Sequence, residues 1–410
     1  MSNCLGVQGK SLTDVTLDYL TAHGQTESLR ECCDIREDAA RSRSLASLAP
    51  SWKGKTASAE STLHQISPYI GRTKPSMASV LVEKFSLPGE MIFDPFCGSG
   101  TILLEGWLRG RNVIGTDLNP YAVAITKAKL HPPADVRHVH RIITEISEEI
   151  EHKRNGVDLR QVSPWVRSFF HPETLRETIL WFRVLKGRRN PFLRGCLLGI
   201  LHHQRPGFLS YPSSNAVPYL RSQKFPKEKF PEMYEYRDVT TRIEKKVDRM
   251  LKRVPCVERD LKHDCRLTDS IFFEPNETVD AIITSPPYMR RLSYGRDNRL
   301  RLWFLGVQNG DLLDSKISPS EAEFLRMMRT CLHAWKRYLA PGGHCILILG
   351  DNYSTKYKAP LPKAISAIAV DEVGGYQVES EYQDPIPEAN RVRSEYQGIK
   401  NETILVLNVK

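Results

Sequence analysis

The sequence lacks any apolar run long enough to cross a bilayer, although 40% of its 410 residues are hydrophobic. Residues 1–10 also lack the apolar core of a secretory signal peptide. These absences predict a cytoplasmic protein with no membrane partner. The length leaves room for two or three domains, and 26% of charged residues is ordinary for a globular chain.

Paired cysteine motifs are missing too. The cysteines are odd in number and none forms a C-x-x-C pair, which argues against a disulfide framework or a zinc ribbon. The histidine pairs His138/His140 and His202/His203 have no carboxylates nearby at ligand spacing, so we expect no metal. We predict free thiols at Cys4, Cys32, Cys33, Cys97, Cys196, Cys256, Cys265, Cys331 and Cys345.

Positive charge is unevenly distributed along the chain. The net charge is +10, and residues 151–253 alone carry about +12. Such segregation is typical of a polyanion-binding region attached to a near-neutral core, although a solubilising surface has the same composition.

Apolar periodicity predicts the fold class. Helical spacing over Met77–Phe85 is followed by a short apolar run, Met91–Phe93, that ends at Asp94. The alternation continues with a helix at Thr101–Leu108, a strand at Asn112–Gly115 and a helix at Ala122–Leu130. Alternating strands and helices indicate an α/β fold, with a doubly wound and mostly parallel sheet.

The alternation then stops and resumes later. Residues 134–253 contain mostly helical patterns, at Val136–Ile150, Pro172–Leu185 and Phe192–Leu201, interrupted by stretches rich in Pro, Gly and Ser. Strand patterns return at Val279–Ile283, Cys345–Leu349 and Glu402–Val409, and a helix is predicted at Ser318–Tyr338. We therefore expect a catalytic domain at 59–133 and 254–410, a basic helical insertion at 134–253, and a partly ordered extension at 1–58 with a weak helical pattern at Leu12–Leu20.

The segment Ile92-Phe-Asp-Pro-Phe-Cys-Gly-Ser-Gly-Thr101 predicts a ligand site. A strand ends in Asp94, and Gly98 and Gly100 allow a sharp turn before a helix. A second strand ends in Asp117, which can accept both hydroxyls of a ribose. No phosphate-binding Gly-Lys-Ser/Thr is present. NAD and S-adenosylmethionine both suit the acid, and the missing third glycine favours the latter.

A second motif follows a later strand, in Ala281-Ile-Ile-Thr-Ser-Pro-Pro-Tyr288. Its two prolines fix the backbone and remove two N–H donors, which leaves carbonyls free to accept. The Ser285 hydroxyl and the Pro286 carbonyl could hold the two N–H bonds of an exocyclic amino group on a base. Tyr288 would stack on a base extruded from the helix.

The two motifs together resemble those of amino-group DNA methyltransferases. Asp94–Thr101 is similar to that family's cofactor motif, and Ser67-Pro-Tyr-Ile-Gly-Arg-Thr-Lys-Pro75 is similar to the segment that precedes it. Serine at the start of Ser285-Pro-Pro-Tyr288 is the form that accompanies cytosine N4. The resemblance covers about 64–130 and 265–410. It implies a Rossmann-like class I fold, S-adenosyl-L-methionine as cofactor, and double-stranded DNA as substrate. Whether a cognate restriction endonuclease exists stays open.

The resemblance also implies residue roles. The catalytic set is Ser285, Pro286, Pro287 and Tyr288. The cofactor set is Tyr69, Lys74, Pro75, Asp94, Phe96, Gly98, Ser99, Gly100, Thr101, Asp117, Leu118 and Asp269. Basic side chains of the insertion and of the stretch after the catalytic motif suit DNA phosphates: Arg188, Arg189, Arg205, Arg221, Arg290, Arg291 and Arg296. Asp269 could equally cap a helix.

Four alternatives stay open. One is an adenine-N6 enzyme. A tRNA guanine-N2 methyltransferase shares both motifs, but the first sixty residues are too short and polar for a separate RNA-binding domain. A carbon-5 cytosine methyltransferase needs a cysteine nucleophile, and Pro255-Cys256 does not follow an apolar strand. The fourth is a DNA-binding module without turnover.

Overall fold

Helices cover both faces of a seven-stranded sheet. The computed structural model describes residues 43–53, 60–203, 207–212, 225–254, 260–287, 294–317, 319–386 and 400–410. Along the sheet the strands follow the order β3-β2-β1-β4-β5-β9-β8, and β6 and β7 pair separately. The strands are β1 Met91–Asp94, β2 Asn112–Asp117, β3 His263–Leu267, β4 Val279–Thr284, β5 Leu339–Gly350, β6 Tyr353–Ser354, β7 Ala359–Pro360, β8 Tyr376–Pro385 and β9 Asn401–Val409.

Five adjacent strands, β3 to β5, pair in parallel, and β9 pairs antiparallel with β5 and β8. The predicted α/β fold with a mostly parallel sheet is therefore confirmed. The chain order reverses between the neighbours β1 and β4, which opens a crevice at their carboxyl ends.

The helices are α1 Leu45–Leu48, α2 Pro75–Phe85, α3 Thr101–Leu108, α4 Pro120–Leu130, α5 Val136–Lys153, α6 Pro164–Arg167, α7 Pro172–Arg188, α8 Pro191–Leu201, α9 Val239–Met250, α10 Tyr294–Asp297, α11 Arg299–Phe304, α12 Gly310–Ile317, α13 Glu321–Trp335 and α14 Leu361–Ala367. Local sequence explains several boundaries. Pro75 and Pro120 occupy first turns, and Asn119 caps α4 by accepting from the Tyr121 N–H. A reciprocal capping box, Ser320 with Glu323, starts α13.

Alternating side chains of the strands pack into two hydrophobic cores, one on each face of the sheet. On β1, Ile92 points into one core and Phe93 into the other, as the period of two requires. The first core also contains α2, α3, α4 and the helices of 136–250, whereas α13 and α14 cover the opposite face. The described part of 134–253 is helical, as predicted, and it shares its core with the sheet. Its division as a separate domain stays a prediction.

Two expectations about chain segments need comment. Residues 1–42 and 54–59, with the pattern at Leu12–Leu20, lie outside the described residues. Residues 43–53, expected to add little to a core, bury Leu45 and Trp52, which are 3% and 2% exposed. Among the described cysteines, Cys97, Cys196, Cys265, Cys331 and Cys345 are buried free thiols, as predicted. Within the ranges the structure describes, no helix is both long and apolar enough to span a membrane.

Candidate active site

A cleft of about 320 Å³ opens at the carboxyl ends of β1, β2 and β4. It brings together most residues that the sequence assigned to the cofactor and to catalysis. Those lining it are Tyr69, Asp94, Phe96, Gly98, Ser99, Thr101, Asp117, Leu118, Asp269, Ser285 and Pro287. The two motifs lie 184 positions apart in sequence, and parallel pairing of β1 with β4 places them side by side.

Glycine is required in the turn between β1 and α3. Gly98 and Gly100 have φ of +49° and +68°, in the left-handed region. A Cβ atom on Gly100 would stand 2.5 Å from Oγ1 of Thr126, so α4 packs directly behind the turn. Gly100 is the N-cap of α3 and no side chain caps the helix, which leaves its first N–H groups available to an acceptor.

Asp117 ends β2 beside this turn. Its carboxylate accepts from the N–H groups of Gly98 and Asn119, each at 2.8 Å. Burial raises its pKa to about 6, against those two hydrogen bonds. The acid is therefore fixed to the turn, and its remaining lone pairs are available for hydroxyl donors.

Asp94 ends β1 and is 2% exposed. Oδ1 accepts from Oγ1 of Thr284 at 2.6 Å and from the Phe96 N–H at 3.3 Å. Burial raises its pKa to about 7, which those two hydrogen bonds only partly oppose. A buried carboxyl of this kind favours a cationic ligand, because a positive charge would stabilise the ionised form.

Ser285 follows β4 at the opposite wall of the cleft. Its hydroxyl donates to the carbonyl of Ile348 in β5 at 3.3 Å. Because the hydroxyl proton is used in this bond, the oxygen lone pairs remain free to accept from a substrate. Pro287 also lines the cleft, whereas Pro286 is buried beside it. Tyr288 lies outside the described residues.

Three tyrosines form a continuous aromatic contact at the cleft wall. The ring of Tyr69 lies 6.0 Å from that of Tyr294 in a stacked arrangement and 5.8 Å from that of Tyr121. Burial raises the pKa of Tyr69 well above its usual value, and the Asp117 charge adds to this. The Tyr69 ring is therefore neutral at neutral pH and offers an aromatic face to the cleft.

Asp269 lies on the side of the cleft next to β3. Oδ1 accepts from the Ile271 N–H at 3.0 Å in a tight turn, and it does not cap a helix. Ile271 and Met327 also line this region and supply apolar surface beside the acid.

Three predicted cofactor contacts lie elsewhere. The Lys74 ammonium donates to Oδ2 of Asp384 at 3.3 Å, and Pro75 is buried as the first residue of α2. Gly100 faces Thr126. None of the three is among the described residues that line the cleft.

Three of the predicted DNA-binding arginines lie within the described residues. Arg188 forms ion pairs with Glu145 at 2.9 Å and Glu149 at 3.1 Å. Arg189 follows α7, exposed, with φ of +50°. Arg296 in α10 is exposed. Arg205, Arg221, Arg290 and Arg291 lie outside the described residues, so their predicted roles stay predictions.

The structure adds cleft residues that the sequence did not single out. Arg72, Lys316 and Glu323 line the walls. Arg72 belongs to the Ser67–Pro75 segment that resembles the family, and this resemblance could have indicated it. Lys316 and Glu323 come from α12 and α13, far along the chain, and no local pattern points to them.

Comparison with known proteins agrees with the motifs. Residues 51–128 match the family model described as DNA methylase. The chain is 32% identical over 84 residues to the type II methyltransferase M.MjaII of Methanocaldococcus jannaschii, covering 20% of this chain and 16% of that protein. It is 26% identical over 264 residues to the type II methyltransferase M.BsoBI of Geobacillus stearothermophilus, covering 55% and 49%. The chain thus spans about half or less of these relatives.

The chain also has a low overall similarity to a solved structure. The crystal structure of TrmN from Thermus thermophilus aligns at a TM-score of 0.33 and 11% identity, over 83% of this chain and 50% of that one. The α/β fold of this chain follows from its own strand order and motifs. The resemblance to amino-group DNA methyltransferases that the two motifs predicted is confirmed by the DNA methylase match over residues 51–128.

Proposed function

We propose that the protein transfers a methyl group from S-adenosylmethionine to the N4 amino group of cytosine in a specific DNA sequence. The observation that carries the proposal is the Ser285 hydroxyl, a free acceptor that faces a cleft lined by the Gly98–Thr101 turn. Acceptors suit an exocyclic amino group, which has two N–H bonds to donate.

The cleft fits S-adenosylmethionine by its donor and acceptor set. Asp117 suits the ribose hydroxyls, and Asp94 suits the positive charge of the methionine portion. Glycine at position 98 lets the backbone of the turn lie close to the Tyr69 ring, because an added Cβ would contact that ring at 3.4 Å. Ile271 and Met327 offer apolar surface to an adenine ring, with Asp269 as an acceptor for its amino group.

When bound, the cofactor supplies an electrophilic methyl group on a sulfonium. The residues of this chain position the reacting groups and stabilise the developing charge. The amino nitrogen of cytosine is a weak nucleophile, because its lone pair is delocalised into the ring. Ser285 and the Pro286 carbonyl would accept hydrogen bonds from the two N–H groups and favour a tetrahedral nitrogen with a localised lone pair. As the nitrogen–methyl bond formed, the methyl–sulfur bond would break, S-adenosylhomocysteine would leave, and the nitrogen would release one proton to water. The contribution is positioning and electrostatic, with no covalent intermediate.

Access to the base requires it to leave the duplex. An amino group inside B-DNA cannot reach a cleft at the edge of a sheet, so the target nucleotide is flipped outwards. The relatives' names, type II methyltransferases, support DNA as substrate. Exposed basic side chains such as Arg189 and Arg296 are suited to hold the phosphates.

The test is to incubate the full chain with labelled S-adenosylmethionine and either genomic DNA or tRNA. The modified nucleoside is then identified by mass spectrometry. N4-methylcytosine in DNA is the expected product. N6-methyladenine would keep the mechanism and overturn the assignment from Ser285, whereas label only in tRNA would overturn DNA as substrate. Cofactor binding without transfer to any nucleic acid would leave only a binding module.

A further inference from the structure

A lysine side chain supports the cofactor turn from behind. Lys129 in α4 is 1% exposed, and its ammonium donates to the Ser99 carbonyl at 2.6 Å. One turn earlier in the same helix, Oγ1 of Thr126 donates to the Gly98 carbonyl at 3.2 Å. Both carbonyls of the turn therefore point backwards, away from the cleft.

This buried ammonium lacks a counter-ion. Of the carboxylates in the described ranges, none lies within ion-pair distance of Lys129. The nearby Glu105 already binds Arg109 and the Nε2 atom of His64. Burial lowers the pKa of Lys129 to about 7, with Arg72 acting in the same direction and Cys97 and Glu105 opposing. A buried cation without a partner is costly, so a ligand anion nearby would stabilise it.

The front of the turn is also positive. Arg72 lines the cleft and is close enough to Lys129 to influence its charge. The uncapped first turn of α3 adds N–H groups with no intrahelical acceptor. Acids lie at other points of the cleft, at Asp94, Asp117 and Asp269. S-adenosylmethionine has a single anionic group, the carboxylate of its methionine portion, and this corner suits it because Arg72 and the free N–H groups of α3 lie together there.

We propose that Lys129 is a positioning residue that orients this carboxylate from behind the Gly98–Thr101 turn, while Arg72 binds it directly at the cleft wall. The inference rests on the proposed cofactor.

Isothermal titration of two ligands separates this role from a general effect on the fold. S-adenosylhomocysteine carries the carboxylate, and 5′-methylthioadenosine has the same adenosine and sulfur without the amino-acid portion. We expect Lys129→Met to raise the Kd of S-adenosylhomocysteine by about tenfold and that of methylthioadenosine by less than about twofold. Arg72→Gln should give the same selective loss.

Lys127→Met is the matched control, since Lys127 lies in the same helix with its side chain 42% exposed, and it should change neither Kd. Equal weakening of both ligands by the two test variants, or no change, would overturn the inference and leave the proposed function standing. If Lys129→Met does not fold, the exposed Arg72→Gln decides alone. Failure of the unmodified protein to bind either ligand would instead remove the proposed cofactor itself.

Discussion

At the scale of single residues, two neighbours at the end of β4 have separate tasks. Thr284 points into the protein and donates to Asp94 at 2.6 Å, whereas Ser285 lines the cleft and donates to Ile348. Successive side chains of a strand point to opposite faces, so adjacent residues can serve cofactor and substrate separately. The Thr284 hydrogen bond fixes the Asp94 carboxyl group at the cleft.

Ser285→Ala removes the acceptor for the substrate amino group and leaves the cofactor residues intact. We expect methyl transfer to fall about 100-fold, since one hydrogen bond strengthened in the transition state is lost. The Kd of S-adenosylhomocysteine should stay within about twofold, because the change removes no cofactor contact. Single-turnover kinetics and calorimetry measure the two quantities.

Ser366→Ala is the control for that variant, because Ser366 also donates its hydroxyl to a backbone carbonyl but lies in α14, outside the residues lining the cleft. A fully active Ser285→Ala enzyme would remove the proposed mechanism.

Asp94→Asn tests whether the pKa of the buried Asp94 carboxyl is raised, by the pH dependence of the free energy of unfolding. The pKa of Asp94 is raised to about 7 in the folded protein from 3.8, so folding favours the protonated form. Its contribution to stability is complete below the unfolded value and is lost as pH rises through about 7. Asparagine keeps an acceptor for Thr284 and carries no charge. The variant should therefore gain about 2–3 kcal/mol on the wild type between pH 4.5 and pH 8.

Urea unfolding of both proteins across this pH range measures the difference. The titration of Asp117, whose pKa is also raised, is common to both proteins and largely cancels in the comparison. A stability difference that does not vary with pH would show that Asp94 titrates normally.

At the scale of elements, the cofactor turn depends on the helix packed behind it. Thr126 and Lys129 lie one turn apart on α4 and each binds one carbonyl of the turn. Gly100 permits this because a hydrogen in place of Cβ lets α4 approach. The geometry of the turn is thus set by β1, α3 and α4 together.

Gly100→Ala should break this packing. Alanine at φ of +68° is strained, and its Cβ would stand 2.5 Å from Thr126. We expect a loss of about 3 kcal/mol in unfolding free energy, measured by urea denaturation. Gly187→Ala is the control: that glycine lies within α7 with nothing inside 4 Å of an added Cβ, so its stability should hold or rise by about 0.5 kcal/mol. Equal effects from the two variants would contradict this account.

The sequence predicted elements whose side chains are apolar on a regular period. It located β1, β2 and β4, whose side chains enter both cores, and it set the limits of α3, which packs into the first core, correctly. It missed β3 and β8, the two edge strands, where polar residues such as His263 and Glu381 replace the apolar run. It also started β5 at Cys345, six residues after Leu339, because Pro341-Gly-Gly343 is a sequence typical of a turn although it lies within the strand.

Site residues were predictable where a motif carries them. Asp94, Gly98 and Ser285 follow strands in recognisable motifs, and parallel pairing then brings their strand ends together. Lys129 was not predictable, because on a helical pattern it looks like an exposed basic residue. The structure instead buries it at 1% exposure beneath the turn. Asp384 likewise binds Lys74 across a sequence separation of 310 positions, and no local pattern predicts this contact.

At the scale of the whole molecule, the net charge of residues 151–253 is larger than the positive charge that their surface exposes, because several basic side chains are used inside the protein. The Arg237 guanidinium donates to the carbonyls of Phe208, Ser210 and Met233, and the Lys246 ammonium donates to the Gln65 carbonyl. Arg154 is shared among three glutamates. Part of the net charge therefore holds the helices together and to the sheet, and DNA can use only the remainder.

The helical segment is also joined tightly to the rest. A Cβ on Gly199 of α8 would come within 1.9 Å of the Ile66 carbonyl oxygen, so this helix packs against the segment before the cofactor motif. The buried Arg301 guanidinium in α11 donates to the carbonyls of Leu198 and His202. A DNA contact made by α8 would therefore act on a helix packed directly against the segment before the cofactor motif and against α11.

The adjacent arginines at the end of α7 test which charges reach DNA. Arg188 is neutralised by Glu145 and Glu149, whereas Arg189 is exposed with no ion pair within the described ranges. Each phosphate contact contributes about 0.9 to the slope of log K against log salt. Arg189→Gln should lower that slope by about 0.9 in fluorescence-anisotropy titrations of duplex DNA, while Arg188→Gln should leave it nearly unchanged. An equal fall for both variants would mean that the glutamate pairs open on binding, and no change for either would place the DNA contacts away from this end of α7.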